Sequence, residues 1–377
     1  MNVFSSPLDL LRGDIPSILY FAETQAVSDH FIKEYRICQL LNEENVLTTL
    51  ATRRVTIGKS LREAALRDLN EILAPDPAID RFFADYQPSS KNTIPFDEYQ
   101  SSLLSIVKAC NTPDTLDRLI DHYQRFGSGQ LARYIAYRFK SGSLIGIESP
   151  DKIPLSSLFC LDRQKKELCD NTLAFLNGKP ANNVLLYGNS GCGKSSLVKA
   201  QLNEYYPLGL RMVQIDKEEL DSLPVLLDQL RRRPFFYVVF LDDLSFENDD
   251  TRYKALKTVL EGTIEAQPSN VLFYATSNRF HIVNESWEDR NGGSDVHQKD
   301  TQNEKLSLSE RFGIRISFLS PDQKNYLSIV EGILNENGCA MTEEIRSEAL
   351  RWAIQYHGRS GRTASQFARY LLSLSDR

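Results

Sequence analysis

The sequence has no apolar run long enough to cross a membrane. Its longest, Phe235–Leu241, is far short of the roughly 20 residues a membrane span requires. No basic stretch followed by an apolar one opens the chain (MNVFSSPLDLLRGDIP), so no signal peptide is expected and the chain is expected to stay in the cytosol. Cys38, Cys110, Cys160, Cys169, Cys192 and Cys339 form no C-x-x-C pair, and none has a His at ligand spacing. Reduced thiols serving as small packing residues are therefore expected. His281, His297 and His357 form no H-x-x-x-H or H-x-H set, which argues against a zinc site built by the protein alone. There is no large excess of one charge: 44 Lys and Arg stand against 50 Asp and Glu, a net −6. That mildly acidic balance argues against a chain coated in non-specific nucleic-acid contacts.

What is present suits an ordinary soluble protein of two or three domains, with 41 % hydrophobic and 25 % charged residues over 377 positions. Residues 1–150 read as a mainly helical domain of unknown role, with amphipathic patches at Lys59–Leu73 and Phe96–Ala109. The polar, turn-rich stretch Ser141–Pro154 is the expected boundary. Beyond it, Asp162 is placed to cap a helix ending at Asn177-Gly178, and five β-prone apolar runs follow. They are Val184–Tyr187, Met212–Ile215, Phe235–Leu241, Val271–Ala275 and Ile314–Phe318, separated by helical stretches that include Glu218–Arg231 and Thr251–Ala266. That alternation predicts an α/β domain over 151–318, a five-stranded parallel sheet between helices. Residues 319–377 read as three helices, a lid: one capped by Ser320, one from Glu343 to His357, one capped by Thr363. Residues 284–305 are polar and Gly-containing and read as a surface loop.

The segment with the clearest chemistry is Gly188-Asn189-Ser190-Gly191-Cys192-Gly193-Lys194-Ser195, a full G-x-x-x-x-G-K-[ST] match between a predicted strand and a predicted helix. Glycines let successive backbone N–H groups curl round an anion, and the helix N-terminus adds its positive end. With Ser196 behind it, this run is expected to bind the phosphates of ATP. Lys194 would reach the β- and γ-phosphates, and the Ser195 hydroxyl would hold Mg²⁺. The buried run Phe235–Leu241 ends in Asp242-Asp243. Asp242 is the expected metal ligand, and Asp243 is placed to act as base or orienter of the attacking water. Val271–Ala275 is followed by Thr276-Ser277-Asn278, where Asn278 is best placed to position the water or the γ-phosphate. Arg311 and Arg362 supply guanidinium groups that match phosphate oxygens and stabilise transition-state charge. No N-K-x-D motif accompanies them, and no D-x-x-G guanine-nucleotide motif directly follows the strand that ends in Asp242-Asp243.

Together these segments resemble an AAA+-type P-loop ATPase. GNSGCGKS resembles its Walker A motif, FYVVFLDD its Walker B, ATSN its sensor 1, LSERFG its arginine-finger segment and GRSGRTASQFARYL its sensor 2 helix. The wider wording over about residues 150–377 is most similar to a bacterial family known as domain of unknown function 815. The resemblance implies that Arg311 acts in trans on a neighbour's nucleotide, hence a homo-oligomer, and that Arg362 binds the γ-phosphate in cis. It implies Mg²⁺-dependent ATP hydrolysis that remodels or switches a partner protein. Such ATPases usually carry Asp-Glu where this chain has Asp242-Asp243. The alternative is therefore a slow-turnover, ATP-gated binding module. Nucleic acid is open as its partner but not favoured, since Arg231-Arg232-Arg233 is the only dense basic run.

Overall fold

The computed structural model describes residues 3, 13–26, 28–87, 98–110, 114–129, 132–231, 233, 235–246, 252–261, 267–278, 308–356 and 358–375. The chain divides into two compact units, Met1–Tyr134 and Ile135–Arg377.

The first unit carries seven helices among its described residues: α1 (Ile15–Thr24), α2 (Phe31–Asn42), α3 (Val46–Thr52), α4 (Lys59–Ile72), α5 (Pro77–Phe82), α6 (Glu98–Ala109) and α7 (Thr115–Phe126). Local chemistry sets several starts. The Asp14 and Asp76 carboxylates accept backbone N–H groups at the starts of α1 and α5, and Asn45 and Thr48 form a reciprocal capping box on α3. Apolar positions at helical spacing, such as Ala65, Leu69 and Ile72 of α4, are buried with Ile37, Leu40, Ile106 and Leu119. Within this core the fully buried His122 places Nδ1 2.9 Å from Ser102 Oγ and packs against Tyr99 and Phe126.

The second unit is built on one seven-stranded sheet: β1 (Ala136–Lys140), β2 (Ser143–Gly146), β3 (Val184–Gly188), β4 (Leu210–Ile215), β5 (Phe236–Leu241), β6 (Val271–Ser277) and β7 (Ile314–Phe318). Their spatial order is β2-β1-β4-β5-β6-β3-β7. Every pairing is parallel except β1–β2. The five expected strands are all present, and the hairpin β1–β2 adds two more. It also corrects the boundary placed near residue 150, because β1 pairs in parallel with β4 and so belongs to the sheet. The turn-rich signal at Ser141-Gly142 marks a two-residue hairpin turn rather than a linker. Both residues have positive φ (50° and 77°), the twist that folds one strand tightly back on another.

Helices α8 (Asp162–Leu176) and α9 (Lys194–Tyr205) cover one face, packing Leu168, Phe175, Leu197 and Val198 against Val184, Leu186, Val238 and Phe240. Residues of the other parity, Leu185, Val239 and Phe273, are buried as well, and α10 (Leu223–Arg231) lies against β6. Apolarity on both faces explains why β5 and β6 read as continuous runs. The expected helix Glu218–Arg231 starts as a 3₁₀ turn (Lys217–Ser222) before α10. That expected over Thr251–Ala266 appears as α11 (Tyr253–Glu261), its end lying outside the described residues. The loop 284–305 also lies outside them.

The lid comprises α12 (Gln323–Glu336), α13 (Glu343–Gln355) and α14 (Gly361–Ser375), closed around Tyr326, Val330, Leu334, Ala353 and Phe367. Three expected caps shift by one to three residues. Asp162 is the first residue of α8, not its cap. Asp322, not Ser320, caps α12 by accepting from Asn325 N, while the Ser320 hydroxyl accepts from Asn189 Nδ2 at 2.7 Å. Ser360, not Thr363, accepts from Thr363 N at the start of α14. Among the described residues no helix is long and apolar enough to cross a membrane.

Candidate functional site

Strand β3 lies between β6 and β7, while the chain leaves it for β4 on the far side of β5 and β6. A sheet that reverses direction in this way opens a crevice at the C-terminal ends of its strands, where α/β proteins bind ligands. The loop Gly188–Ser195 fills that position. Gly188 has φ +131°, and a Cβ there would stand 1.9 Å from the Phe318 carbonyl oxygen of β7. Gly191 and Gly193 also take positive φ (74° and 93°), a conformation open to glycine at little cost. The loop therefore approaches its neighbours as bare backbone and delivers the N-terminus of α9 to the crevice, with its first N–H groups free of helical partners.

Lys194 is the first residue of α9 and its side chain is buried. Nζ donates to Gly188 O (2.7 Å), Asn189 O (2.8 Å) and Asn278 Oδ1 (2.9 Å), using all three donors. Burial pushes the Lys194 ammonium below its ordinary pKa, opposed by Cys192, Asp243 and Asp242 nearby. Next to it, Ser195 Oγ donates to Asp242 Oδ1 at 2.6 Å. Asp243 stands one residue beyond, and its Oδ1 accepts from Asn278 Nδ2 at 2.7 Å. The Asn278 amide thus joins the loop lysine to the second carboxylate. Asp243 has φ +52°, a left-handed conformation that Asp tolerates better than longer side chains do. This is a local reason for Asp in place of Glu.

The cleft around these groups has a volume of about 950 Å³. Ser190, Gly191, Cys192, Gly193, Ser195 and Ser196 line its floor, with Asp242, Asp243 and Asn278 beside them. Gly188 and Asn189 stand at its edge, carrying the carbonyls that hold Lys194. Arg362 lines the lid side from the first turn of α14, and its backbone N donates to Gly191 O at 3.0 Å, which ties the lid to the loop. Gln366 and Arg369 line the cleft from the same helix. Another part of the lining is apolar: Leu158, Phe159, Leu161, Ile329 and Ile333. The sequence reading missed this wall, whose residues come from the segment before α8 and from α12 with no shared motif. Arg311 does not line the cleft. Its Nη2 is paired with Glu261 Oε1 of α11 at 2.8 Å, and Lys257 Nζ lies 3.7 Å from the same oxygen.

The donor set fits a magnesium–nucleoside triphosphate. A loop with glycine at 188, 191 and 193 and a helix N-terminus suit phosphate, and a hydroxyl paired with a carboxylate suits a hard cation. Among the described residues no group of three His, Cys, Asp or Glu could hold a metal. A cation at Ser195 and Asp242 would therefore need phosphate oxygens and water to complete its shell. The apolar part of the lining offers a surface for a base.

A family profile described as "Protein of unknown function (DUF815)" matches residues 132–375. Over 59 residues the chain is 42 % identical to the replication factor C large subunit of Staphylothermus marinus, spanning 15 % of this chain and only 13 % of that relative's length. Among solved structures it is similar to the RuvB Holliday junction branch migration motor of Thermotoga maritima, at 16 % identity and a TM-score of 0.41, covering 60 % of this chain and 67 % of that one. It is also similar to the Orc1 protein of Aeropyrum pernix, solved with DNA, at 15 % identity and a TM-score of 0.43, covering 60 % and 63 %.

Proposed function

The chain belongs to the DUF815 family, and from its site we propose that it is a Mg²⁺-dependent ATPase of AAA+ type that switches or remodels a partner protein. The observation that carries this reading is the hydrogen-bonded cluster at the strand ends: Lys194 to Asn278, Asn278 to Asp243, and Ser195 to Asp242. A buried cation, a metal-suited hydroxyl–carboxylate pair and a second carboxylate stand at the mouth of an anion-binding loop.

In this mechanism the N–H groups of Gly191–Ser195 hold the β- and γ-phosphates, and the Lys194 ammonium joins them by exchanging its bonds to Gly188 O and Asn189 O for phosphate oxygens. Ser195 and Asp242 would hold Mg²⁺, which would supply charge neutralisation at the phosphate oxygens. Asp243 accepts a proton from the attacking water or orients it, and Asn278 keeps that carboxylate facing the cleft. Arg362 supplies positive charge from the lid, so loss of the γ-phosphate would release α14. Arg311, paired with Glu261 in this chain, serves a neighbouring subunit, which makes the working form a homo-oligomer.

The test is Asp243→Asn. It is expected to keep MgATP affinity within about threefold and to lower turnover by roughly 10²–10⁴-fold. Wild-type turnover in that variant would refute the mechanism. The slow-turnover module is favoured by one feature: Asp243 is a methylene shorter than Glu and already engaged by Asn278. A pull-down with Asp243→Asn in ATP, followed by turnover assays with the captured partner, separates the two. Nucleic acid enters as a second partner class, and binding that disappears steeply with added salt would mark it as non-specific.

A further inference from the structure

We propose that Thr276 is a positioning residue for both carboxylates of the site, its one hydroxyl fixing the metal-ligand Asp242 and the backbone turn that presents Asp243. This inference rests on the ATPase reading above and deepens it.

Strand β6 lies between β5, which carries the two aspartates, and β3, which carries the phosphate loop. Thr276 is aligned with Leu186 of β3, and the residue before it, Ala275, is aligned with Leu241 at the end of β5. It therefore stands one step past the last β5–β6 pair, where β5 gives way to Asp242. The residue is 1 % exposed. Its Oγ1 donates to Asp242 Oδ1 at 2.7 Å and accepts from Asp243 N at 2.9 Å. Its backbone carbonyl accepts from Leu244 N at 2.7 Å. One residue thus holds three consecutive positions, 242, 243 and 244.

Two of these bonds matter for chemistry. A hydroxyl has a single proton to donate, and here it goes to a carboxylate, where hydrogen bonds are strong and directional. Asp242 Oδ1 receives two hydroxyls, from Ser195 and Thr276, which together fix its orientation. In the proposed site Ser195 has a second duty as a metal ligand. Thr276 has none, so its bond to Asp242 serves orientation alone. At Asp243 the φ of +52° is sparsely populated for residues other than glycine and persists only where surrounding bonds hold it. The hydroxyl on the Asp243 amide is one such bond, and the Asn278 side chain on the carboxylate is another. Without the hydroxyl, the amide loses its partner and the turn can relax, moving the carboxylate that addresses water.

Thr276→Val keeps the shape and removes the hydroxyl, while Thr276→Ser restores the hydroxyl and removes only a methyl group. Three readings are taken on the full chain: ADP affinity in EDTA, Mn²⁺ affinity of the ADP complex from the free-Mn²⁺ electron paramagnetic resonance signal, and kcat for ATP. Valine is expected to leave metal-free ADP affinity within about twofold, weaken Mn²⁺ binding by about tenfold or more, and lower kcat at saturating metal. Serine is expected to return both to within about threefold of wild type. A purely structural role would move melting temperature without this split. Wild-type Mn²⁺ affinity and kcat in the valine variant, or equal losses in valine and serine, would overturn the assignment. If the valine variant fails to fold, judged by loss of metal-free ADP binding, Thr276→Ala is read by the same criteria. Failure of the wild-type chain to bind ADP under either condition would overturn the ATPase reading, and this inference with it.

Discussion

At the scale of single residues, the tightest constraint is on backbone without side chains. Gly188 leaves no room for a Cβ beside the Phe318 carbonyl. Gly188→Ala is expected to lower stability by at least roughly 1–3 kcal/mol, read as a drop in the melting temperature of the sheet unit. His122 makes a different kind of prediction. Burial pushes its pKa down to about 3, from about 6.5 in an unfolded chain. Below pH 6.5 the unfolded chain binds a proton that the folded chain refuses until about pH 3. Stability of the helical unit is therefore full above pH 6.5 and falls as pH drops through that window, by up to about 1.4 kcal/mol per pH unit. The urea midpoint of that unit, followed by helical circular dichroism, is expected to lose much of this slope in His122→Phe. Residues of the phosphate loop were legible in the sequence because their spacing is contiguous. Thr276 stood inside the legible ATSN run, but its bonds to Asp242 and Asp243, like that of Glu261 to Arg311, reach partners far along the chain and were not legible.

Elements show how local signals are settled by packing. Strands β3, β5 and β6 were readable because burial on both faces leaves uninterrupted apolar runs, and the edge strand β7 because Ile314, Ile316 and Phe318 alternate. The hairpin β1–β2 was not, because short half-exposed strands such as Ser143–Gly146 leave little pattern. Helix starts were readable to within one to three residues. Where several cap residues stand close together, tertiary partners decide between them: Ser320 is taken by Asn189, so Asp322 caps α12. Arg311 belongs to this scale too, since it sits just ahead of β7 and is held by Glu261 of α11. Arg311→Ala is expected to reduce turnover by roughly 10³-fold while leaving ATP affinity nearly intact. Mixing it with Asp243→Asn subunits is expected to recover part of the activity, because each subunit supplies what the other lacks. No recovery at any mixing ratio would place the arginine's action within its own subunit.

For the whole molecule, a net charge of −6 coexists with a strongly anion-directed site. There is no conflict, because the site's positive character is local: helix N–H groups, a buried lysine and the lid arginine. If a neighbour completes the site, specific turnover is expected to rise with protein concentration and level off once assembly is complete, checked by hydrolysis assays alongside light scattering. Turnover per subunit that stays constant over a wide dilution range would argue for a self-sufficient monomer. The central claim is that the Gly188–Ser195 loop binds nucleotide phosphate through Lys194. Its most direct test is calorimetric titration of wild type and Lys194→Ala with MgATP. The account predicts saturable one-site binding by wild type and at least about 100-fold weaker binding by the variant, whereas equal affinity in the two proteins would contradict it.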